Sequence, residues 1–183
     1  MLKGTSLNRI YREIPMAETM TTKTTIAGPL DPSVSARILD EGYGPGAWHG
    51  PDLRAALTDI TPERAFWRPG LGRHNVAEIA LHHAWCVRSA ISQLSGASGE
   101  PFPFEGADWF DVANESRISW TDIATLVETQ HGQLATTLAD IASGRLRSPM
   151  SEADRFDLVL GVTCHAVYHA GQVQLIKVLA AAQ

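Results

Sequence analysis

The sequence predicts an all-α fold, a four-helix bundle whose first helix is interrupted, and three observations carry that expectation. Three long stretches repeat apolar residues at intervals of three and four, two of them opened by a residue suited to capping a helix and the last by acidic residues. No stretch shows the alternation of a strand. The 183 residues suit one domain, long enough to bury a sizeable core.

Residues 1–29 read as a flexible N-terminal arm, because the run from Glu18 to Thr25 offers no apolar face and its β-branched threonines disfavour helix. Leu7, Ile10, Tyr11 and Ile14 are spaced for one amphipathic turn or two, a short docked helix being the alternative, and folding is expected to survive removal of the arm. The helical domain then spans residues 30–183. Its first helix starts at the Asp31-Pro32-Ser33 cap and runs to about Glu41 with Val34, Ile38 and Leu39 on its apolar face. The glycines and proline from Gly42 to Gly46 break it. Asp52 restarts a helix through Leu53, Ala56, Leu57 and Ile60, and Thr61-Pro62 caps one further turn.

The second long helix begins at the Asn75 cap and continues to about Leu94, before Ser95-Gly96 stops it. A loop rich in glycine and proline follows, which Trp109 and Phe110 are expected to anchor, with a ligand wall as their alternative role. The third runs from a Ser119 or Thr121 cap through Ile123, Val127, Leu134 and Ile141 to Gly144. Glu152 opens the fourth, with acidic residues near its positive end.

A formal net charge of -5 leaves no basic patch dense enough for nucleic acid. No apolar run approaches the roughly twenty residues that cross a bilayer, and the N-terminus lacks the apolar core of a secretory signal, so a cytoplasmic protein is expected. Cys86 and Cys164 form no paired motif and read as small buried hydrophobes.

The chemistry concentrates on the fourth helix, where His165 and His169 stand four residues apart on the stripe Leu158, Val162, His165, His169, Gln172, Ile176 and Leu179. An inward imidazole needs partners for both ring nitrogens. The pair is therefore either hydrogen-bonded to core polar groups or bound to a metal. A catalytic metal of the zinc type takes about three protein ligands, so a third must come from a facing helix, from His82 or His83. On a helical wheel His83 falls near the middle of the face made by Val76, Ala80, Val87 and Leu94, while His82 falls toward its edge among Glu78, Cys86 and Ser89. Periodicity alone favours His83. His49, His74 and His131 read as ordinary surface or loop histidines.

Two stretches, Asn75-Val76-Ala77-Glu78-Ile79-Ala80-Leu81-His82 followed by Trp85, and His165-Ala166-Val167-Tyr168-His169-Ala170-Gly171-Gln172, resemble the DinB/YfiT-like superfamily. Trp48-His49-Gly50-Pro51 and Asp108-Trp109-Phe110 are similar to features of one of its branches. The resemblance covers roughly Val34 onward, and each motif is short, so its specificity lies in their order and spacing. It implies a four-helix bundle, a homodimer, and a divalent metal held by His82, His165 and His169, thereby selecting His82 over His83. His74 departs from the pattern, standing where many members have Trp.

Three neutral imidazoles leave such a metal its full double positive charge, so that water or a thiol bound there becomes a nucleophile near neutral pH. The function expected is thus a metal-dependent enzyme acting on a small molecule, either a hydrolase or, as the resemblance implies, a transferase using a low-molecular-weight thiol. Zinc or nickel suits nitrogen donors. Glu78 and Tyr168 are candidates to assist proton transfer if they line the pocket. The alternative is a stress-associated metal-binding or scaffold protein without catalysis. His83→Ala is expected to keep the metal and lose only packing.

Overall fold

Side-chain caps set where most helices start. The computed structural model describes residues 31–99, 101–104, 108–114 and 118–182; the arm expected at residues 1–29 lies outside the described residues. Helices α1 (Pro32–Tyr43), α2 (Leu53–Leu57), α4 (Val76–Ser95), α5 (Trp120–Ala142) and α6 (Glu152–Ala181) each begin beside a residue whose side chain accepts a backbone N–H of the first turn. Those residues are Asp31, Asp52, Asn75, Ser119 and Ser151. The short α3 (Pro62–Ala65) starts instead with Pro at its first position, where the missing N–H costs nothing. Gly96, at φ 70, ends α4 in the left-handed conformation that glycine adopts without strain. The fold is all-helical, with no strand among the described residues.

Each long helix meets two others: α4 packs on α5 and α6, and α1 packs on α6 and α5, while α2 lies against α6. Lys177 Nζ secures α2, donating to the carbonyls of Ala56 at 3.2 Å and Thr58 at 3.0 Å. The expected interruption is present as the break between α1 and α2. Near the end of α1, Gly42 lets the backbone approach closely: a Cβ there would stand 3.0 Å from Ala166 Cβ and 3.1 Å from the Thr163 carbonyl oxygen on α6.

One apolar cluster gathers Leu53, Ile79, Leu81, Phe110, Ile123 and Val173 around the first half of α4. A second joins Leu39, Val87, Leu94, Leu134 and Val162 around the other half. The inward face of α6 differs from the expected stripe. Its buried residues are Val159, Val162, Thr163, Ala166, His169, Ala170, Val173 and Ile176, so His165 and Gln172 sit half-buried at the edge and Leu179 is exposed. The cysteines also depart from expectation, since Cys86 is half-buried and Cys164 exposed.

A candidate metal centre

The i, i+4 spacing of His165 and His169 brings Nε2 of each within 2.9 Å of the other. From α4, Nε2 of His82 comes within 3.0 Å of the same His165 nitrogen. One ligand atom from each of the three histidines lies within 4.8 Å of the other two, so the group could hold a metal ion. The donor set fits that role. Tetrahedral coordination at about 2.0–2.1 Å separates imidazole nitrogens by roughly 3.3 Å, close to the spacing found.

Partners outside the triad fix two of the rings. His82 Nδ1–H donates to the Asp108 carbonyl at 2.8 Å, leaving its Nε2 lone pair free. Asp108 lies at φ 69, a left-handed conformation that aspartate tolerates better than most residues. His169 Nδ1–H donates to Gln172 Oε1 at 2.6 Å, and Gln172 Nε2 in turn donates to the Tyr168 hydroxyl at 3.0 Å. Tyr168 thereby orients the partner of His169. Burial pushes His165 and His169 down to about 4, aided by the neighbouring imidazoles, so both are neutral and able to coordinate at physiological pH.

Trp109 covers His82, ring on ring with centroids 4.0 Å apart, and carries His74 on its other face at 3.8 Å. Both expected anchors therefore dock, Phe110 in the core and Trp109 against a histidine of the triad. A cavity of about 260 Å³, lined by Arg68, Arg73, His74, Trp109 and others, lies beside this stack.

Glu78 holds the covering segment to α4. Its carboxylate accepts from Nη1 and Nη2 of Arg68, from His74 Nδ1 at 2.9 Å and from the Val112 N–H at 3.0 Å. Burial alone would raise its pKa, but those hydrogen bonds outweigh it and hold the carboxyl below its ordinary value. Asn75 Nδ2 adds a bond to the Val112 carbonyl at 2.7 Å. With every partner engaged, Glu78 is a latch rather than a group poised for proton transfer.

His83 points elsewhere. Its Nδ1 lies 3.0 Å from His165 Nδ1 and its Nε2 lies 2.7 Å from Nε2 of His131, which stacks on Tyr43 at 3.7 Å. Reading His131 as an ordinary surface or loop residue is thus corrected, since it is buried in the interior, whereas His74 does lie exposed in a loop and from there bridges Trp109 and Glu78. The signal for His131 was present. It follows Val127 by four residues and precedes Leu134 by three, on the buried face of α5. His49 stays in a loop, bonded to the Glu41 carbonyl at 2.8 Å, and Trp48 is exposed.

Residues 47–173 match the family model of the DinB superfamily. No curated protein and no solved structure matches the chain.

Proposed function

The chain belongs to the DinB superfamily, and from that premise we propose that it is a divalent-metal-dependent enzyme acting on a small molecule through His82, His165 and His169. The observation that carries this reading is the convergence of three Nε2 atoms beside a half-buried His165, which leaves one side of the group toward solvent. A bound zinc or nickel ion would supply the positive charge that turns water or a low-molecular-weight thiol into a nucleophile. The residues do the rest: Asp108 and Gln172 aim the lone pairs, and Trp109 shields one side from water. Metal analysis of the purified protein, then a screen pairing thiols with electrophiles beside one of hydrolysable esters and amides, tests the reading. Bound metal with turnover in either screen supports it, and metal-free protein overturns it.

A second reading, a non-catalytic metal-binding or scaffold protein, is favoured by one observation. Cys86 Sγ lies 3.9 Å from His82 Nε2, and Cys86, Asp108 and His82 form an overlapping group that could also take an ion. A fourth protein ligand would close the site and favour a structural role. Cobalt substitution distinguishes the two, since a thiolate ligand adds an intense near-ultraviolet charge-transfer band that three imidazoles and water lack.

We further propose a four-helix bundle built from α1, α4, α5 and α6, and a homodimer formed along the outer face of α6. Leu160, Tyr168, Leu175, Val178 and Leu179 are exposed there, a row of about 28 Å on the helical rise. A specific interface should bury above about 1,000 Å². Sedimentation showing only monomer across a wide concentration range would remove the dimer. Among the described residues no helix is long and apolar enough to cross a membrane, and the free thiols of Cys86 and Cys164 suit the reducing cytoplasm that we assign to the protein.

A further inference from the structure

We propose that His83 and His131 are positioning residues for His165, linked to it in a hydrogen-bonded chain of imidazoles that fixes which of its nitrogens can bind a metal. The proposal rests on the reading that His82, His165 and His169 hold the metal. The chain has two links, His165 Nδ1 to His83 Nδ1 at 3.0 Å and His83 Nε2 to His131 Nε2 at 2.7 Å. Each link holds one proton, because two bare lone pairs repel and two N–H groups collide.

With every ring neutral, two polarities satisfy both links. In one, His131 donates to His83, His83 donates to His165, and the His165 proton sits on Nε2, aimed at His82 and His169. In the other, His165 Nδ1–H donates to His83, His83 Nε2–H donates to His131, and His131 keeps its proton on Nδ1. Only the second leaves Nε2 of His165 bare toward a metal. Passing from the first to the second shifts one proton from His83 to His165 and another from His131 to His83. One proton leaves Nε2 of His165 for solvent and one is taken up at Nδ1 of His131, so the total charge is unchanged.

The far end of the chain lets the metal end decide. His131 is clamped against Tyr43, their planes 4° apart, and cannot swing away without losing that stack. Its Nδ1 is buried and has no hydrogen-bond partner among the described residues, so no acceptor or donor there selects a polarity. A partner of this kind raises the basicity of a ligating imidazole and fixes its ring, and removing one costs roughly 10–100-fold in metal affinity.

The test uses the full chain, stripped by a chelator and titrated with zinc against a chromophoric competitor. His83→Leu removes the acceptor at similar bulk and should weaken zinc binding by roughly 10–100-fold while one zinc per chain is still bound. His83→Asn, whose Oδ1 occupies the place of Nδ1, should restore most of the loss. Equal affinity in His83→Leu and the parent overturns the proposal and leaves the metal reading standing, as does an Asn variant no tighter than Leu. A parent that takes up no stoichiometric zinc overturns both. Should the variants fail to fold, two-bond proton–nitrogen NMR of the zinc-loaded parent decides. The proton belongs on Nδ1 of His165, Nε2 of His83 and Nδ1 of His131, and a proton on Nδ1 of His83 overturns the chain.

Discussion

From Asn75 to Ala84 every residue of the α4 cap and first turns is buried, whereas from Trp85 to Ser95 only Val87, Ala90 and Leu94 are. The second half follows one apolar stripe, with Ser89 and Gln93 turned outward, and a helical wheel describes it well. In the first half α5 and α6 cover one side while Trp109, Phe110 and Val112 cover the other. Polar residues there are buried because each has a partner: Asn75 has Val112, Glu78 has Arg68 and His74, His82 has Asp108, and His83 has His165 and His131. Amphipathic periodicity thus locates the core side of the second half but cannot rank His82 against His83 in the first.

Substitutions can test whether the two halves are as separate as this contrast implies. The largest effect is expected at the triad, where His82→Ala, His165→Ala and His169→Ala should each abolish stoichiometric metal binding, as measured by elemental analysis after dialysis. Next comes Glu78→Ala, which strands the buried Val112 N–H and leaves Arg68 only the Asp111 carboxylate and the Arg73 carbonyl. It should cost about 3–5 kcal/mol in denaturant melts and also weaken metal binding by freeing the segment over His82. Leu94→Ala should cost about 2–5 kcal/mol with metal affinity unchanged. Parallel losses of affinity in both variants would show that the halves act as one.

Acid should act mainly through the histidine-lined half. Burial, aided by the Arg54 charge, pushes His131 down to about 3, and burial holds His83 well below its ordinary value. Both stay neutral in the folded protein while the unfolded chain, with histidines near 6.5, takes up protons. The stability these rings contribute is therefore fully present above about pH 6.5 and is lost as pH falls toward 3, at up to ~1.4 kcal/mol per pH unit for each ring. Melts at pH 7, 6 and 5 measure the slope, and His131→Leu should flatten it. The smallest effect is expected for Asp108→Gly, which keeps the carbonyl that accepts from His82 and suits φ 69; stability should change by less than about 1 kcal/mol with zinc retained. Loss of zinc there would show that the carboxylate, 3.0 Å from His82 Nδ1, carries the contact instead.

Helix starts were legible because Asp31, Asp52, Asn75 and Ser119 announce themselves by local chemistry, and the acidic first turn at Glu152 marks the fourth long helix, whose Ser151 cap went unrecognised in the sequence. The ends at Gly96 and near Gly144 were equally plain, both glycines having positive φ. His165 and His169 could be singled out from their spacing, but α6 is apolar on much of its circumference, so the face it buries could not be fixed and lies rotated from the stripe inferred. The choice of His82 came from the resemblance, since the covering segment that buries His82 is brought in by contacts distant in sequence. The hydrogen bonds of His83 and His131 depend on how α4, α5 and α6 meet, which local pattern does not encode.

Gly42 bears no functional group and contacts none of the triad, yet it governs how the site can vary. Because α1 rests on α6 with no room for even a methyl group, the gap between those helices works as a gauge block that sets the height of the turn carrying Ala166, next to His165. A Gly42→Ala chain would have to shift that turn by a few tenths of an ångström, and His165, one residue away, would move with it relative to His82. The alignment of the imidazoles is therefore calibrated from α1 through the backbone of α6, at a position with no chemistry of its own.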